Sequence, residues 1–174
     1  MQDILTCAMG LDVHRDIIVA CLVKGAVDAE PEAETRTFST LIPEMQKLRD
    51  WVIESECRNI AMESTGIYWQ PIYEMLESCF DGEISILVVN ARHMKNVPGR
   101  KTDMKDAQWI ATLLRAGLLK GSFIPDKAFR ELRHLTRYRK SVVHDITAQK
   151  NRIDKFLQSS GFRFTAFLSD TFGA

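Results

Sequence analysis

Met9-Gly10-Leu11-Asp12-Val13-His14-Arg15-Asp16-Ile17-Ile18-Val19-Ala20 holds two apolar runs on either side of a charged turn at His14 and Arg15. That pattern predicts a hairpin, with one strand over residues 5–13 and a second over 16–24, and a third β-type run at 34–40 extends it to an antiparallel meander. The residue out of place is Asp12. Aspartate is depleted in strands, and a buried charge without a partner is costly, so something must compensate it.

Beyond the meander the period changes. Ile42, Met45, Leu48, Trp51 and Val52 follow helical spacing, with Pro43 and Glu44 at the start, where a helix tolerates them. Residues 59–63 form a short β-type run closed by Ser64-Thr65-Gly66, after which Ile67, Ile72, Tyr73, Leu76 and Phe80 indicate a second helix. Residues 83–90 are a near-continuous apolar run, expected of a strand covered on both faces. The order β-β-β-α-β-α-β followed by helix implies an α/β fold, a mixed sheet with flanking helices that matches the ribonuclease H-like class.

Residues 97–101 make a positively charged turn, and Thr102 can cap a helix over 103–117. Past Pro125, Leu132, Leu135, Arg139, Val142, Ile146, Gln149, Ile153 and Phe156 recur at spacings of three and four, a heptad seam with two polar interruptions. The seam suggests a coiled-coil or helical-hairpin arm; the other reading is one amphipathic helix lying on the core. The expected division is a catalytic domain over residues 1–125 and, over 126–174, the arm with the start of a linker.

At 174 residues, 45% apolar and 26% charged, the chain excludes wholesale disorder and fibrous repeats. No apolar run approaches the ~18 to 20 residues of a membrane span, and the N-terminus lacks the order of a signal peptide, so the expectation is a cytoplasmic protein with no membrane partner. Cys7, Cys21, Cys57 and Cys79 form no Cys-x-x-Cys pair, a pattern that suits reduced buried thiols. The net charge of zero hides an asymmetry: residues 1–90 carry 6 Lys/Arg against 16 Asp/Glu, whereas 91–163 carry 17 against 6. An acidic half followed by a basic half suggests contact with a polyanion.

Four carboxylates fall where burial disfavours them. Asp12 lies in the first strand, Glu63 ends the fourth, and Asp103 and Asp106 open the next helix, where positions three apart share a face. With the first and fourth strands as neighbours and the helix crossing near the same edge, all four converge. Clustered carboxylates repel one another unless hard cations neutralise them, and Mg²⁺, with Mn²⁺ as substitute, prefers such oxygen ligands. Two such ions can activate an attacking oxygen and stabilise a leaving one on phosphorus. Taken singly, Asp103 and Asp106 could serve the helix dipole, Glu63 could be a turn residue and Asp12 an exposed hairpin residue.

Gly10-Leu11-Asp12-Val13-His14, Met62-Glu63-Ser64-Thr65-Gly66, and Asn90-Ala91-Arg92 through Lys101-Thr102-Asp103-Met104-Lys105-Asp106-Ala107 resemble the N-terminal domain of insertion-sequence transposases with a RuvC-like Asp-Glu-Asp-Asp site, relatives of the Piv and MooV DNA invertases. The resemblance implies that Asp12, Glu63, Asp103 and Asp106 bind magnesium. It also implies recombination of DNA guided by a structured RNA, a helical arm that makes homo-oligomers, and a second domain with a nucleophilic serine. By that resemblance the chain, which stops at Ala174, is expected to be an N-terminal fragment. Lys95, Arg100, Lys101 and Lys105 would hold nucleic-acid backbone beside the metals, with a solvated loop as the other reading, and His14 and His93 could assist.

Three other functions fit less of the sequence. A self-sufficient RuvC-type endonuclease would need no further nucleophile. A non-catalytic nucleic-acid-binding and oligomerisation module would not need the acids. A nucleotide-binding domain of the actin and sugar-kinase type needs glycine and a hydroxyl residue just after the first-strand aspartate, where this chain has Val13-His14-Arg15.

Overall fold

Residues 4–64, 66–80, 82–90, 94, 106–168 and 172–173 are described by the computed structural model. Contacts divide the chain into two units, Met1–Ile124 and Pro125–Ala174.

In the first unit, β1 (Cys7–Val13) pairs antiparallel with β2 (Ile17–Lys24), which pairs antiparallel with β3 (Glu32–Ser39). The charged turn closes the hairpin as expected, with the His14 amide donating to the Ile17 carbonyl at 2.9 Å. On the other side of β1, β4 (Asn59–Glu63) and β5 (Ser85–Val89) run parallel, giving one mixed sheet of order β3-β2-β1-β4-β5. This order and mixture of directions is the ribonuclease H-like architecture. β5 departs from the expectation of a strand covered on both faces: it is the outer strand, and only Val88 and Val89 are buried.

Period-2 alternation divides the sheet's side chains between two layers. Met9, Leu11, Val13, Ile18, Ile60 and Met62 share one core with Leu48 and Trp51 of α1 (Ile42–Glu54) and Ile72 and Leu76 of α2 (Trp69–Phe80). Pro43 sits in the first turn of α1, where its missing N–H leaves no bond unmade. The Arg36 guanidinium lies 4.4 Å over the Trp51 ring, closing this layer beside β3.

The opposite face is covered by α3 (Asp106–Arg115). Its Ile110 and Leu114 pack with Ala8, Ala61 and Val89, and its Ala107 and Ala111 with Cys21 and Val23. The helix rests directly on the backbone at Gly10, where a Cβ would run into the Ala107 carbonyl oxygen and the Ala111 amide. At its far end Arg115 is buried. Its Nε donates to the Leu5 carbonyl at 2.9 Å and its Nη2 to the carbonyls of Gly25 and Ala26, while its own carbonyl accepts from the Ile4 and Leu5 amides.

The second unit is dominated by α4 (Lys127–Ser159), 33 residues long, whose N-cap Asp126 accepts from the Phe129 amide at 3.0 Å. It is one uninterrupted helix, so the helical-hairpin form of the arm is not found. The seam residues Leu132, Leu135, Val142, Ile146, Ile153 and Phe156 are all exposed. Among the described residues no helix is long and apolar enough to cross a membrane. The expectation of buried thiols holds for Cys21 and Cys57; Cys7 is half-buried, and Cys79, on the outer side of α2, is exposed.

Candidate active site

The β1–β4 register sets Gly10 beside Ala61 and Leu11 beside Met62. Carried one residue further, it sets Asp12 beside Glu63, which itself pairs with Val89 of β5. Paired residues of parallel strands project to the same face, with their strands ~4.8 Å apart. That face is the one under α3, because Ala8, four residues before Asp12, and Ala61, two before Glu63, both pack against this helix. An acid in an apolar strand and an acid at a strand end thus become neighbours.

The path of α3 brings in the third acid. Ala107 and Ala111 lie over Gly10, whereas Arg115 reaches Leu5, so the helix runs opposite to β1 and opens at the end where β1 carries Asp12. Asp106 occupies the first turn there, where a carboxylate favours the helix dipole. Asp12, Glu63 and Asp106 therefore belong to one end of one layer. Among the described residues, no three His, Cys, Asp or Glu side chains are gathered closely enough to hold a metal ion. Asp103, His93, Lys95, Arg100, Lys101 and Lys105 lie outside the described residues.

Asp12 is largely sheltered, its side chain 13% exposed, and the 59% exposed His14 covers it, with Nε2 donating to Oδ2 at 3.2 Å. This contact gives the carboxylate a partner and fixes one of its oxygens. At the end of β4 the Ser64 amide donates to the Val89 carbonyl at 2.9 Å, and Gly66 turns the chain with φ +58°, a left-handed conformation that suits glycine. Ser64 is thereby placed in the strand-end turn. Two carboxylates on adjacent positions of one face repel each other, and a hard divalent ion accepting oxygen ligands is the group their chemistry fits.

Sequence reasoning missed Gly10 and Arg115. Glycine inside a strand is itself a signal of close backbone approach, so Gly10 could have been found; Arg115 gave no signal, because its partners lie 110 and about 90 residues away in sequence.

Two solved structures resemble the chain: Thermus thermophilus RuvC, at 12% identity and a TM-score of 0.46 over 67% of this chain and 99% of that one, and T. thermophilus RuvC in complex with a Holliday junction substrate, at 12% and 0.46 over 68% and 100%. No curated protein matches. Residues 9–161 match the family model DEDD_Tnp_IS110, described as a transposase. Because that match takes in most of β1 and all of β4, α3 and α4, the chain belongs to this transposase family.

Proposed function

We propose that this chain carries the metal-binding catalytic centre of a DNA transposase, with Asp12, Glu63, Asp103 and Asp106 as the ligands of Mg²⁺ or Mn²⁺. What supports the reading is the β1–β4 register, which one residue past Leu11–Met62 sets Asp12 level with Glu63 on the face of the sheet that α3 covers. Bound there, the metal would stabilise negative charge on a scissile phosphate and its leaving oxygen. The chain's own residues do the rest. Asp12 and Glu63 offer oxygens from rigid strands, His14 orients the Asp12 carboxylate, and Lys95, Arg100, Lys101 and Lys105 neutralise the phosphate backbone of DNA without reading bases.

The family resemblance supports a finer version, in which a structured RNA guides recombination and a serine from a domain following the arm is the nucleophile. α4 then joins protomers through its exposed seam. A self-sufficient endonuclease of the RuvC type, attacking with water, is the competing reading. Strand cleavage by the 174-residue chain with Mg²⁺ separates the two: the composite site predicts none until the serine domain is added, and vigorous cleavage by the chain alone favours the endonuclease. In either case Asp12→Asn and Glu63→Gln should each lower cleavage at least 100-fold, with circular dichroism unchanged. Undiminished cleavage by both variants would refute the acidic site.

A further inference from the structure

At the opposite end of β1 from the acids, two cysteines are brought together. Cys7 opens β1, and Cys57 lies two residues ahead of β4. The register that pairs Met9 with Ile60, carried back past the paired residues, sets Cys7 level with Arg58, so Cys57 falls one residue off that level in the segment that enters β4. For ideal strands ~4.8 Å apart with ~3.3 Å per residue, that offset corresponds to a Cα separation of ~6 Å, within the ~4.4–6.8 Å that a disulfide spans.

The side chains share a partner set as well as a level. Cys57 belongs to the main apolar core, and Cys7 packs against it. Asn59 links the two: the Cys57 thiol donates to the Asn59 carbonyl at 3.3 Å, and Asn59 Nδ2 donates to the Cys7 carbonyl at 3.4 Å, and the neighbouring Cys57 thiol lowers the pKa of Cys7. Glu56, just ahead of Cys57, has φ +55°, the left-handed region, and reverses the chain there. Cys57 further lines a 370 Å³ cleft with Arg58, Phe80 and Ile84, and Cys7 is half-buried at the start of β1. Lys24, opposite Cys7 in the β1–β2 register, adds positive charge beside the half-buried thiol.

We propose that Cys7 and Cys57 form an oxidation-responsive dithiol that a small hydroperoxide closes into an intramolecular disulfide. The proposal is independent of the metal site. In the first step the Cys7 thiolate attacks the peroxide, an S–O bond forms, the O–O bond breaks, and the leaving oxygen departs as alcohol or water. In the second, the Cys57 sulfur attacks the sulfenic sulfur. The S–S bond forms, the S–O bond breaks, and hydroxide leaves as water with the Cys57 proton. Two thiols are oxidised by two electrons and one peroxide is reduced. The closed bond ties the start of β1 to the entry of β4, the two strands whose other ends carry Asp12 and Glu63.

The test is peptide mapping of the full chain after brief treatment with hydrogen peroxide and alkylation of remaining thiols. The expected product is a Cys7–Cys57 linked peptide, two hydrogens lighter than its reduced parts, with Cys21 and Cys79 still alkylated. In Cys57→Ser, Cys7 should instead stop at a sulfenic acid captured by dimedone. Cys7 and Cys57 both remaining alkylatable, or Cys7 bonded to Cys21 or Cys79, would overturn the proposal. The native chain decides the matter even where the variant fails to fold.

Discussion

Asp12 and Glu63 each follow directly on the Leu11–Met62 pairing of β1 and β4, level with one another in that register and on the face that α3 covers. Their separation in sequence, 51 positions, is bridged by a parallel register that leaves both at the ends of their strands. Ligand-binding acids in α/β sheets gather at such carboxyl ends, where neighbouring strands and an incoming helix terminus meet.

The closeness of α3 to the sheet depends on Gly10. Gly10→Val should force the Ala107 carbonyl and the Ala111 amide away from β1, destabilising the domain by about 1–3 kcal/mol and displacing Asp106 from the acid-bearing end. Urea unfolding measures the first effect and Mn²⁺ titration the second; a variant with unchanged stability would show that the helix does not rest on this glycine.

Much of this arrangement was legible because two periods differ so plainly. Short apolar runs in residues 9–13 and 17–24 on either side of a charged turn, and helical spacing from Ile42 to Val52, fixed element types, and Asp12 stood out as a charge among apolar neighbours. What escaped was whatever depends on contacts across the fold. Nothing local to Arg115 announces that it will hold the carbonyls of Leu5, Gly25 and Ala26, nor does the 50-residue gap between Cys7 and Cys57 announce a pair. β5 was read as fully covered because apolar content does not distinguish an inner strand from an outer one whose end is sandwiched.

The exposed apolar residues of α4 make a prediction about assembly. Replacing Ile146, 51% exposed on α4, with aspartate puts a charge into the seam and should shift the protein from oligomer to monomer in sedimentation velocity, with helicity retained. A native chain that is monomeric at high concentration and unaffected by Ile146→Asp would contradict the role given to the arm.

Cys7 should react over an unusual pH range. The hydrogen bond from Cys57, reinforced by Lys24 and opposed by burial, lowers its pKa to about 7, while Cys57 is pushed well above the ordinary thiol range by the same bond and by burial. A lowered thiol pKa means the nucleophilic thiolate predominates above pH 7. Alkylation of Cys7 by iodoacetamide should therefore rise roughly tenfold between about pH 6 and pH 8 and then level off. In Cys57→Ala the midpoint should move up toward the usual value of ~8.5; a native midpoint already there would remove the interaction.

Anomalous scattering from crystals of the chain soaked in Mn²⁺ reads the metal site directly. A peak with carboxylate oxygens of Asp12 and Glu63 at ~2.0–2.3 Å, and with Asp106 and Asp103 completing or bridging the coordination shell, is the predicted result. A structure with Mn²⁺ bound elsewhere, or with the Asp12 and Asp106 carboxylates more than about 10 Å apart, a helix diameter, would contradict it.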